Sequence, residues 1–166
     1  MKLTHVDDVI ATCNEHLDTT QARGTQIESY LTRYLLVTTC AAFEEEVKRI
    51  VLQRAARTGD RYLLAFVESC IGAVFRSVKT SEISGLLNRL GEDFKKDFQQ
   101  KLKANEKAEA YFNNIVINRH GTAHRTIGSS LTLRELINFY EEGHTVLDCL
   151  HEVISKRRRF RHKPST

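Results

Sequence analysis

The stretch Tyr34-Leu35-Leu36-Val37-Thr38-Thr39-Cys40-Ala41-Ala42-Phe43 decides the fold. Its residues are apolar or small nearly all the way round a helix, and a helix without a polar face belongs at the centre of a bundle. Reading outward, Gly24 precedes the helix and Thr25 with Glu28 supplies a start signal. The pattern then runs to about Arg57, with Gly59 beyond its end.

Upstream, Thr4 with Asp7 resembles a capping box, followed by Val6, Ile10, Cys13 and Leu17 at helical spacing. Downstream, a third helix follows Asp60 through Leu63, Val67, Cys70, Ile71 and Val74. A polar break at 77–81 precedes a shorter helix with Ile83, Leu86, Leu87 and Leu90. Gly91 punctuates; Phe94, Phe98 and Leu102 recur every four residues, and Ala108, Phe112, Ile115 and Val116 resume the stripe. After a loop at 127–130, Thr132 with Glu135 reads as a second capping box. It opens one last helix with Leu133, Ile137, Tyr140, Leu147 and Ile154 on a stripe. The only proline is Pro164, and alternating strand patterns are missing. The expectation is an all-α, antiparallel helical bundle of four main helices plus one or two short extra helices. One domain over 1–155 and a basic tail over 156–166 complete it.

A chain of 166 residues that is 41% hydrophobic is long and apolar enough to bury a core, which excludes a disordered protein. No apolar run approaches a membrane span and the start has no signal-peptide pattern, so a cytoplasmic location is the default. Cys13, Cys40, Cys70 and Cys149 are scattered among apolar neighbours, as buried reduced thiols would be. The net charge of +4 is unevenly placed. Lys156, Arg157, Arg158, Arg159, Arg161 and Lys163 crowd the C-terminal stretch without an acid, leaving 19 Lys and Arg against 21 acids elsewhere. Arg157, Arg158, Arg159 and Arg161 are therefore the candidates for RNA contact, the bland alternative being a solubilising tail.

The chemistry concentrates in Arg119-His120-Gly121-Thr122-Ala123-His124. Arginine neutralises phosphate and histidine moves protons near neutral pH. Arg119 follows Ile115 by four and Phe112 by seven, so it continues a core-facing stripe and needs a partner. His120 and His124 are four apart, on one face of any helix that persists through Gly121. On such a helix, positions 119 and 124 stand about 140° apart around the axis and about 7.5 Å apart along it. One subunit then does not bring them together; a substrate or a second chain must.

These residues resemble the HEPN superfamily of small helical bundles, close to its stand-alone prokaryotic, RiboL-PSP-HEPN-like members. The family signature is Arg, often followed by Asn, Asp or His, with a His four to six residues after the Arg; Arg119, His120 and His124 match it. Ala41-Ala42-Phe43-Glu44 looks like the family's second-helix segment with its acidic residue. The resemblance spans roughly Thr25 to Ile154. It implies a metal-independent endoribonuclease without a cofactor, built as a homodimer whose two motifs form one composite active site on RNA. By that analogy His124 is the general base or acid for attack by the ribose 2′-OH, and Arg119 holds the phosphate. His120 orients the reacting groups, and products carry a 2′,3′-cyclic phosphate. One departure stands out: a branch of the family carries Tyr two residues after the catalytic His, and this chain has Thr126, so nucleotidylation there is not expected.

Each residue also has a structural reading. Arg119 could pair an acid such as Glu44, a role compatible with catalysis because the carboxylate would also position the guanidinium. Of Glu44, Glu45 and Glu46, one is expected to turn inward, Glu44 being chosen on the resemblance. His120 and His124 lack the intervening glutamate of a zinc-protease motif, so no metal is expected. His144 and His151 read as core or interface histidines, and Tyr111 and Phe112 as core aromatics. Three readings follow: a dimeric ribonuclease serving as a toxin or phage-defence effector, with an antitoxin or regulatory partner; a non-catalytic HEPN module binding RNA or nucleotide; and a helical interaction protein.

Overall fold

Helix α2 (Gln26–Ala56) is the axis on which the bundle is built, and α1 (Thr4–Thr19), α3 (Arg61–Val74), α6 (Glu106–His124), α7 (Leu133–Gly143) and α8 (Thr145–Ser155) all pack against it. Two further helices, α4 (Thr80–Leu90) and α5 (Glu92–Lys103), form a hairpin beside them. The computed structural model describes residues 3–74, 78–124 and 131–156, with the side chains at 73–74 and 120–124 outside that description. The described residues hold eight α-helices, more than the five or six expected, and the class is all-α as read.

Cross-contacts set the directions. Lys101 pairs with Glu152 and Lys107 with Glu142, while the Tyr111 ring lies 4.6 Å from Phe139, so α5 and α6 run as one broken column antiparallel to α7 and α8. At the other end of α2, Arg54 and Arg57 donate to carbonyls of Ile154, Lys156 and Ser155, which α8 leaves without intrahelical partners.

The centre is aromatic. Phe43 of α2 stacks on Phe112 of α6 at 4.6 Å and lies 6.3 Å from Tyr140 of α7. Gly143 lets α6 and α7 close on each other: a Cβ there would stand 3.0 Å from the Phe112 backbone nitrogen. The Tyr140 hydroxyl donates to Asp7 at 2.9 Å and accepts from the Leu3 amide at 3.2 Å, stapling the start of α1 to the core. Burial pushes that phenol up to about 12.

Most of the local start signals hold. Thr132 and Glu135 form the reciprocal capping box. Thr25 caps α2 by accepting from the Ile27 amide, while Glu28 reaches back to the Gly24 amide at 2.6 Å. Asp60 accepts from the amides of Tyr62 and Leu63 at the start of α3, after Gly59 turns the chain at φ +73°. Three expectations are corrected. Thr4 and Asp7 form no capping box, because Leu3 takes the N-cap position and Asp7 serves Tyr140. The expected last helix divides at His144, where the Leu147 amide bonds the His144 carbonyl three residues back instead of four. Cys70 is half-buried while the other three cysteines are buried, since α3 covers little of itself: Tyr62 is 72% and Phe66 64% exposed.

Candidate active site

Helix α6 carries the motif, and its backbone stays helical through Gly121 to His124. Its register is set by Ala108, Phe112, Ile115 and Val116, which face the core. Arg119 falls at the edge of that stripe, not on it. Its side chain is 38% exposed and donates from Nη1 to Glu44 Oε1 at 2.8 Å, with the Glu44 side chain 25% exposed. The expected buried guanidinium is thus a half-open one. A pair this accessible contributes on the order of 1 kcal/mol or less to stability, so its larger consequence is to fix where the guanidinium stands.

Cys40, one turn before Glu44 on α2, lies under the pair. Its thiol touches the Ile115 carbonyl at 3.8 Å. Burial pushes it from its ordinary 9.0 to about 12, with the Arg119 charge pulling it down and the Glu44 charge pushing it up. A thiol so held is a packing residue and no nucleophile at neutral pH.

The acidic run of α2 differs from expectation. Glu45 is exposed, but Glu46 is the most buried of the three, held by Arg49 Nε at 2.6 Å. Two of the three glutamates therefore turn inward, because α2 is enclosed on more than one side. His144 contacts the Tyr140 carbonyl at 3.3 Å and lies 3.9 Å from Asp148. His151 meets Ser155 at 3.4 Å. Both are half-buried and bonded within the α7–α8 column, as satisfied core histidines are.

The structure brings together Arg119 and Glu44 from the residues singled out by sequence. His120 and His124 are located as helix positions only. Arg157, Arg158, Arg159 and Arg161, the loop 127–130 and Thr126 lie outside the described residues. Among the described residues no group of three or more His, Cys, Asp or Glu side chains comes together, and no helix is long and apolar enough to cross a membrane.

Sequence reasoning missed the surface beside this pair. Ile27, Tyr30, Tyr34 and Val37 recur along α2 at spacings of three, four and three, and are 45%, 55%, 56% and 49% exposed. Continuing the same alternation of four and three from Val37 reaches Ala41 and then Glu44. The uncovered apolar stripe and the Arg119–Glu44 pair therefore belong to one continuous face.

Comparisons with curated proteins and with solved structures return no match. The sequence model of the RiboL-PSP-HEPN family matches residues 3–156, from the start of α1 to the end of α8. With nearly the whole chain matched and an all-α bundle to carry it, this protein belongs to the RiboL-PSP-HEPN family.

Proposed function

We propose that this HEPN protein is a metal-independent endoribonuclease that works as a two-fold dimer. The observation that carries the reading is the Arg119–Glu44 pair, half open to water at the end of an uncovered apolar stripe. The carboxylate aims the guanidinium through Nη1. A guanidinium has five N–H donors, more than one carboxylate oxygen can take, so a group aimed in this way can still clamp a phosphate. Contiguous exposed apolar surface on a soluble protein marks an interaction face, and the occupant favoured here is a second copy. The same stripe approaching itself by two-fold symmetry needs no other complementary surface.

Helix geometry supports a shared site. With α6 helical to His124, positions 119 and 124 stand about 140° apart around the axis. Arg119 of one copy therefore acts with His124 of the other. His124 takes the proton from the 2′-OH as its oxygen bonds to phosphorus, and Arg119 offsets charge on the phosphoryl oxygens. The bond from phosphorus to the 5′-oxygen breaks and that oxygen receives a proton, leaving a 2′,3′-cyclic phosphate and a 5′-hydroxyl. His120 orients the reacting groups, and DNA, without the 2′-OH, resists. Arg157, Arg158, Arg159 and Arg161 add sequence-independent attraction to RNA. A nuclease of this kind acts as a toxin or defence effector and calls for an antitoxin or other restraining partner.

His124→Ala should abolish cleavage of single-stranded RNA while RNA binding persists. Wild-type protein that binds RNA but never cuts it leaves a non-catalytic HEPN module as the reading, and the enzyme assignment falls.

A further inference from the structure

Helices α4, α5 and the start of α6 enclose a groove of about 870 Å³ on a part of the molecule away from the Arg119–Glu44 pair. Its wall on α5 is a row of Lys95, Gln99 and Lys103, at successive spacings of four residues; Ser81 and Ser84 of α4 face them. Lys95 and Lys103 make no hydrogen bond or ion pair among the described residues, whereas Lys96 at the rim is held by Glu92 at 2.8 Å. The one acid lining the groove, Glu109, is committed to Thr80, whose hydroxyl donates to it at 2.8 Å. Asn113, one turn further along α6, braces Thr80 by donating to its hydroxyl at 2.9 Å and accepting from its amide at 3.1 Å. The groove thus presents two cations without a hydrogen bond or ion pair among the described residues, Lys95 being drawn only at longer range by Glu92, with amides and hydroxyls on a braced floor.

The spacing selects the ligand. Positions 95 and 103 are about 12 Å apart along α5, too far for both ammonium groups to be matched by one phosphate. An extended polyanion meets both. The floor also points somewhere. On α6, positions 109, 113, 117, 120 and 124 recur at spacings of four, four, three and four, so Glu109 on the groove floor shares a helix face with both motif histidine positions. Those positions lie about 16 Å and 22 Å beyond Glu109. Ile117, between them, is 53% exposed, so that face is open where the row passes it.

We propose that the α4–α5–α6 groove is a track for single-stranded RNA, holding the phosphates of the strand that leads to the motif at the end of α6. This rests on the ribonuclease reading and deepens it. It assigns to Lys95 and Lys103 a share of the affinity that sequence alone placed in the tail. Neutralising two cations that each hold a phosphate of a single strand lowers the slope of log affinity against log salt by about 1.4 and weakens binding on the order of tenfold at moderate salt.

The test uses the full chain carrying His124→Ala, so that RNA is held but not cut. Anisotropy of a labelled single-stranded RNA is followed across a salt series, with and without Lys95→Gln and Lys103→Gln together. The track predicts the loss of affinity and of slope, with an unchanged melting curve because neither lysine makes a hydrogen bond or ion pair among the described residues and neither is buried. Unchanged affinity and slope, in a parent that binds RNA, overturn the track and leave the ribonuclease reading standing. A parent that binds no RNA overturns both. A lysine-dependent grip on polyglutamate without one on RNA overturns the assignment in favour of an acidic protein segment.

Discussion

On one face of α2, Leu36, Cys40, Phe43, Val47 and Ile50 are sealed against the rest of the bundle. On another, Ile27, Tyr30, Tyr34 and Val37 keep about half of their surface in water. The residue types are alike, and the difference lies in how far the chain covers them: α6, α7 and α8 pack against α2 and the first face is sealed, while the second stays about half open. The closed face makes the fold, and the open face leads to Glu44 and Arg119. Under the proposed dimer, the stripe left open beside the candidate site is half of an interface.

The comparison is broken most severely from the closed side. Phe43→Ala removes the ring stacked between Phe112 and Tyr140 and should cost about 3–5 kcal/mol in urea unfolding. A loss under about 1 kcal/mol would show that the stack is not the keystone. Gly143→Ala comes next. Its methyl would stand 3.0 Å from backbone, which helix geometry cannot yield, and about 1–3 kcal/mol should be lost despite alanine's better helix propensity.

High pH probes the same face more gently. Cys40 and Tyr140 both have folded values pushed to about 12 by burial, from ordinary values of 9.0 and 10.0. The unfolded chain therefore releases these protons first. Their contribution is fully present below pH 9 and is lost as pH rises toward 12. Denaturation midpoints should fall across that window, and less steeply in Tyr140→Phe; equal slopes would remove Tyr140 as a cause. The smallest effect on folding, within about 0.5 kcal/mol in the isolated monomer, belongs to Tyr34→Glu on the open face. There the readout is assembly: sedimentation should show a dimer becoming a monomer, with cleavage lost alongside. A wild-type monomer that cleaves RNA would leave the stripe without this role.

Much of this could be read from residues alone. Glycines 24, 59 and 91 and the Thr132–Glu135 box mark where helices stop and start because their effects are local. The break at His144 was not legible, since Gly143 is needed for its approach to Phe112, a contact between helices far apart in sequence. The Tyr34 to Phe43 stretch correctly announced a central helix, yet apolar residues all round do not say whether a face is covered by the chain itself or by a second copy. Glu44 was reached through resemblance, because three consecutive glutamates look alike until α6 is placed beside them. The α5 row escaped notice for the opposite reason: Lys95, Gln99 and Lys103 look like an ordinary solvated helix face until α4 is placed beside them as the other wall of an open groove.

The central claim is that Arg119 of one copy acts with His124 of the other. Subunit mixing tests it most directly. Arg119→Ala and His124→Ala proteins should each be inactive alone, and exchanging their subunits should restore measurable cleavage, because each mixed dimer regains one intact Arg119 facing one intact His124. Mixed dimers that form but stay inactive, beside an active wild type, would contradict the composite site.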